Sequence, residues 1–113
     1  MIGKGVFKAD VGGKEVFFHF GTLSSVYTEE KSGLPIGEVF KNIGSIKNIL
    51  YYFWGAAVAY NEINNIKEEI TVAQVSEWID AMGIEKTYDI YVKSIQSPAS
   101  KNGKAPKEAE PVA

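Results

Sequence analysis

The side chains able to do chemistry are few and poorly companioned. The chain has one histidine, His19, and no cysteine, which removes thiolate nucleophiles, disulfides and Cys- or His-rich zinc sites. Glu15 and His19 share one face of a candidate strand, a pairing that could serve acid–base chemistry. No nucleophile accompanies them, and Ser24-Ser25 lacks the Gly-flanked elbow of hydrolase serines. His19 is therefore read as a partly exposed strand residue. Glu29-Glu30 and Glu68-Glu69 are adjacent carboxylates on polar faces, read as solvated charge rather than as a dyad or metal site. The glycines at positions 3, 5, 12 and 13 match no phosphate-cradling pattern and punctuate a hairpin instead. No catalytic residue, metal ligand or cofactor is assigned, and the chain is expected not to be an enzyme.

Composition narrows the remaining classes. The chain of 113 residues, 45% hydrophobic and 23% charged, suffices for a single core. The formal net charge is -2, and all 12 basic residues are lysine. Arginine's bidentate fork is the usual reader of phosphate and base edges, so a nucleic-acid surface is not expected. Met1 to Gly5 lacks the apolar stretch of a signal peptide, which points to the cytosol. The uncharged run "ILYYFWGAAVAY", Ile49 to Tyr60, is shorter than the roughly 20 apolar residues a bilayer span needs. Membrane insertion is not expected.

The elements that must position any site follow from pattern. Val6 to Val11 and Glu15 to Phe20 read as strands around Gly12-Gly13, a pair suited to the positive φ of a tight turn. Val16, Phe18 and Phe20 share one strand face. Thr22 is the expected N-cap of a helix to about Lys31 with Leu23, Val26 and Tyr27 as its apolar stripe and Gly33 as its stop. Pro35 suits the first turn of a short helix carrying Ile36, Val39, Phe40 and Ile43. Ser45 caps a helix from Ile46 to about Ile63. Thr71 and Gln74 have capping-box spacing before a helix bearing Val72, Val75, Ile79 and Met82 and ending at Gly83. A last helix, Ile84 to Gln96, places Tyr88, Tyr91, Val92 and Ile95 on one side. The expected fold is thus α+β: an N-terminal β-hairpin followed by four to five mostly short helices. Residues 1–96 form one domain, and residues 97–113, rich in Pro, Ala, Ser, Lys and Glu, form a disordered tail.

The helix built from the apolar run has no solvated face. Ile46, Ile49, Leu50, Phe53, Ala57 and Tyr60 form one stripe, and Asn48, Tyr51, Tyr52, Gly55, Val58 and Ala59 lie opposite. Such a helix is either central, wrapped by the others, or reserves one side for another molecule. On the second alternative Tyr51, Tyr52, Gly55, Val58 and Ala59 are the partner-binding residues, with Gly55 and Ala59 allowing a second helix to approach closely.

The ordered set "KEVFFHFGT", "SGLPIGEVFKNI", the aromatic run and "TVAQVSEWIDAMG" resembles the tail assembly chaperones of long-tailed bacteriophages and prophages. The resemblance covers about Val6 to Ile95. It rests on the Phe20-Gly21-Thr22 turn, the segment Gly33 to Ile43, the Leu-x-x-x-Phe/Tyr-x-Gly/Ala-type helix at Leu50 to Ala57, and the Thr-capped helix Thr71 to Gly83. It implies a non-enzymatic protein of the host bacterial cytoplasm that coats and solubilises the tape-measure protein and helps recruit tail-tube subunits. It also implies a longer frameshifted product in some members, for which Ser100-Lys101-Asn102 could be encoded with a slippery run. A homo-oligomer is a further expectation. The alternatives are a structural tail subunit, such as a tail-completion or tube-associated protein that self-assembles, or a generic α+β protein-binding module.

Overall fold

The computed structural model describes residues 5–96; the expected tail at 97–113 lies outside them. Two strands, β1 (Val6–Val11) and β2 (Lys14–His19), are followed by helices α1 (Thr22–Ser32), α2 (Ile36–Lys41), α3 (Ile46–Ile63), α4 (Val72–Met82) and α5 (Ile84–Ile95). This is the α+β arrangement expected from the sequence, with strand and helix ends displaced by a residue or two. Gly12 and Gly13 close the hairpin with φ of 67° and 87°, the doubly left-handed conformation that matches the twist of antiparallel strands. The Asp10 carboxylate accepts a hydrogen bond from Gly13 N–H at 2.8 Å and fixes the turn.

The hairpin alternates as its sequence dictates. Ala9 and Val11 on β1, and Val16, Phe18 and Phe20 on and after β2, are buried, while Lys8, Asp10 and Glu15 are exposed. A two-stranded ribbon is marginal in water, and here its apolar face is covered by helices. Phe18 packs edge-on against Phe53 of α3 at 5.1 Å and against Trp78 of α4 at 6.1 Å. Full burial of Phe18 and Phe53 contributes on the order of 2 to 3 kcal/mol each.

Helix α3 is the central element. Ile49, Phe53, Ala56 and Ala57 lie on one side, and Gly55 and Ala59 on a second, with Tyr52 between them; all seven are buried. Much of the helix is thus covered by its own chain, while Leu50, Tyr51, Trp54 and Val58 are only half-buried. On the second side α1 comes unusually near, because a Cβ built on Gly55 would lie 2.6 Å from Thr28 Oγ1 and 2.7 Å from the Ser24 carbonyl oxygen. That proximity leaves room only for short side chains on α1. Ser24 and Thr28, one turn apart, are accordingly buried, whereas Val26 is 43% exposed. The stripe expected on α1, Leu23, Val26 and Tyr27, is corrected by this observation: the core face of the helix is small and polar. Thr28 Oγ1 donates to the Ser24 carbonyl at 2.8 Å, which satisfies the buried hydroxyl within its own helix.

Side chains close only some helix starts: Ser45 occupies the cap position of α3 as expected, but its side chain makes no capping hydrogen bond. Thr71 and Gln74 form the expected reciprocal box, with Gln74 N–H donating to Thr71 Oγ1 at 3.1 Å and Thr71 N–H to Gln74 Oε1 at 2.8 Å. The start of α1 differs from expectation. Gly21, not Thr22, occupies the cap position, and Ser24 Oγ both accepts from Gly21 N–H at 2.8 Å and donates to the Gly21 carbonyl at 2.9 Å. Glu29 also departs from its expected role as solvated charge: its carboxylate accepts from Ile36 N–H at 2.7 Å. It therefore caps α2, whose own cap residue, Pro35, has no side chain able to do so.

The close approach of α1 and α3 sets two effects of a methyl group in opposition. Replacing a mid-helix glycine with alanine ordinarily stabilises by about 1 kcal/mol. At position 55 the same methyl meets backbone and a buried hydroxyl, and overpacking costs about 1–3 kcal/mol. Gly55→Ala is expected to lower stability in urea unfolding; a rise in the midpoint would show that the helices are not in contact there.

Candidate functional site

The five residues expected to meet a partner are divided by the structure. Tyr52 is 3% exposed, and Gly55 and Ala59 are also buried. Their physical role is internal: Gly55 admits α1, Ala59 continues the same face, and Tyr52 fills the space between the hairpin, α2 and α5. As placed, these three offer no surface to another molecule, and the second helix that the small residues admit is α1 of the same chain. Tyr51 and Val58 are half-buried. Val58 lines a groove of about 400 Å³ with Trp54, Asn61, Ile66 and Ile70, rimmed by Glu62, Glu68 and Glu69. Trp54 holds one wall of it in place by donating Nε1–H to the Ile70 carbonyl at 2.9 Å, and Lys31 sits over the indole at 4.6 Å.

The residues considered for chemistry are not brought together. Glu15 pairs with Lys8 at 3.4 Å rather than with His19. Ser24 is committed to the start of α1. Among the described residues no group of three or more His, Asp or Glu side chains stands where it could hold a metal ion. No helix among them is long and apolar enough to cross a membrane.

An apolar groove that the sequence did not single out lies on the opposite end of α3. Ile46, Ile49 and Leu50 of α3, Ile79 of α4, and Gly83 and Ile84 at the α4–α5 junction enclose about 450 Å³, with Ser76 and Asp80 as the polar members. Ile46 is 62% exposed and Ile84 44% exposed. Two large aliphatic side chains thus stand at the first positions of their helices, where polar residues would ordinarily face water. From Ile84 an apolar ridge continues along α5 at four-residue spacing through half-buried Tyr88 to Val92, which is 41% exposed. The expected α5 stripe is corrected accordingly: Thr87, Ile90, Tyr91 and Ser94 turn inward, and Val92 and Ile95 do not. The sequence signal was present in the isoleucines that open α3 and α5, but periodicity assigns Ile46 to the core stripe of α3 and leaves Ile84 unassigned.

Two tyrosine hydroxyls fix α5 and hence the groove's far wall. Tyr88 O–H donates to the Ile43 carbonyl at 2.9 Å. The Ser94 hydroxyl donates to the Tyr91 carbonyl at 2.6 Å, so Tyr52 is the donor across the 2.9 Å contact to Ser94 Oγ. Tyr52 also stacks on Phe20 at 4.8 Å and meets Phe40 and Tyr91 edge-on at 5.5 and 5.4 Å. A groove with a fixed frame, an aliphatic lining and a sparse polar rim suits the apolar face of an amphipathic helix.

Burial pushes the Tyr52 hydroxyl up to about 12 from an ordinary 10.0. The folded state therefore favours the neutral phenol, whose contribution is complete below pH 10 and is lost as pH rises through 12. A shift of this size corresponds to roughly 2–3 kcal/mol. Tyr52→Phe is expected to flatten the decline of stability between pH 10 and 12 in urea titrations. A smaller slope should remain, because burial also raises Tyr91. Identical profiles for wild type and variant would refute the buried placement. Comparisons with protein-family models, curated proteins and solved structures match none of them to this chain.

Proposed function

We propose that this protein is a non-enzymatic tail assembly chaperone of a long-tailed phage or prophage. In this reading it acts in the host bacterial cytoplasm, where it coats and solubilises the tape-measure protein and helps recruit tail-tube subunits. The observation that carries the proposal is the groove of Ile46, Ile49, Leu50, Ile79 and Ile84 with its continuation along α5. A tape measure is a long, largely helical chain whose apolar faces need cover until the tube encloses them. An aliphatic groove on a small scaffold covers one such face per copy, through contacts that are repeated, shallow and releasable. The resemblance of the ordered segments from Val6 to Ile95 supports the same reading. The contact region is thereby moved from Tyr51, Tyr52, Gly55, Val58 and Ala59 to the two ends of the α3–α4–α5 groove.

The test is co-expression of the full chain with the tape-measure protein of its own phage or prophage, which this reading expects to be a long helix-rich chain encoded downstream. Ile46→Asp and Ile84→Asp should each leave that protein insoluble, while Val26→Asp, an exposed apolar position on α1 outside the groove, should keep it soluble. Far-UV circular dichroism of each variant separates lost binding from lost fold. Solubility unchanged by both groove substitutions would overturn the assignment of the site. A stable, concentration-independent ring of this chain retained in mature tails would favour a structural subunit instead.

A further inference from the structure

The outer edge of β1 leaves backbone groups unpaired by any strand among the described residues. Among the described residues the sheet has two strands only, paired Val6↔His19 through Val11↔Lys14. Antiparallel pairs alternate between residues that exchange hydrogen bonds and residues whose backbone groups point away. Phe20 N–H donates to the Gly5 carbonyl at 2.8 Å, which makes Gly5 a bonded position and sets the parity. Phe7, Ala9 and Val11 therefore bond to β2, and the N–H and C=O groups of Val6, Lys8 and Asp10 point outward from the hairpin. The other edge differs, since on β2 Phe17 stacks on Tyr60 of α3 at 5.0 Å.

The side chains at the open edge are self-complementary in one register. Asp10 lies directly opposite Glu15 in the hairpin, a like-charge cross-strand pair of the kind that destabilises a ribbon. Lys8 answers Glu15 at 3.4 Å, but Asp10 makes no ion pair among the described residues. An antiparallel copy of β1 can bond through Val6, Lys8 and Asp10 only in registers that match outward-pointing residues. Centring the pairing on Lys8 sets lysine against lysine. Centring it on Ala9 sets Lys8 of each copy against Asp10 of the other, twice, and supplies the cation that Asp10 lacks. The same register places half-buried Phe7 against Val11 of the second copy on the inner face.

We infer that this protein dimerises by antiparallel pairing of β1 with β1 of a second copy, across a two-fold axis at Ala9. The two hairpins then form one continuous sheet in the order β2, β1, β1, β2. This surface is separate from the α3–α4–α5 groove, and the inference does not depend on what the groove binds.

Charge reversal tests it on the full chain by sedimentation equilibrium. Wild type should show a reversible monomer–dimer equilibrium. Asp10→Lys gives up the hydrogen bond from Gly13 N–H but faces Glu15 inside the hairpin, and it sets Lys8 against a lysine of the second copy. Far-UV circular dichroism of the variant checks that the fold is kept. The substitution should weaken dimerisation about tenfold or more, and the swap Lys8→Asp with Asp10→Lys should restore it. Ala9→Cys, placed in a chain without cysteine, should cross-link on oxidation, because residues facing each other in a non-bonded pair lie about 4.5 Å apart at Cα. Three results would overturn the inference: a monomer at every concentration, a dimer indifferent to Asp10→Lys, or a dimer abolished by Ile46→Asp but untouched by the reversal.

Discussion

The contact between the α1 and α3 backbones at Gly55 governs the rest of the structure. With no side chain at that position, the Ser24 carbonyl and the Thr28 hydroxyl occupy the space a Cβ would take. This brings α1 in tightly enough to bury one face of α3 without large apolar groups on α1. The other face of α3 is then free to carry Ile49, Phe53 and Ala57 under the hairpin. A bulkier residue at 55 would push α1 outward and open a gap along the Gly55–Ala59 face of α3. Close packing of this kind transmits displacement rather than absorbing it.

Architecture was legible in the sequence wherever a local rule decides the outcome. The Gly12-Gly13 turn, the Thr71–Gln74 box and the two-residue alternation of β2 each follow from nearest-neighbour chemistry, and each is where pattern places it. The course of α3 from Ile46 to Ile63 was equally plain. What the pattern left open was which molecule covers its second side. Hydrophobic periodicity reports that a face avoids water, but does not report whether the cover belongs to the same chain. The answer depended on α1 presenting Ser24 and Thr28, residues that a periodicity argument ranks as polar and therefore outward. Val26 was misplaced for the same reason.

The groove was hidden by the converse error. Ile46 satisfies the apolar period of α3, which places it in the core stripe, and Ile84 enters the sequence reading only as the first residue of α5. They emerge because each stands at a helix start, beyond the reach of the neighbours that cover the next turn. Gly83, with φ of 92°, ends α4 and begins α5 without an intervening loop. The two helices meet there with no connecting segment that could cover Ile84. Glu29 carries a related lesson: its role as the cap of α2 spans seven residues and two helices, which neither helix's own sequence discloses.

The hairpin occupies the first part of the chain, yet everything that shelters its aromatic face comes later. Phe18 and Phe20 leave the ribosome before Phe53, and well before Trp78. At typical elongation rates of roughly 5–20 residues per second the nascent ribbon waits on the order of seconds for α3 and longer for α4. During that interval Phe17, Phe18 and Phe20 are displayed together on a ribbon that is only marginally stable by itself. The order of elements along the chain therefore makes α3 the first cover for this surface during synthesis. Translation speed between codons 20 and 63 becomes part of how this sequence reaches its fold.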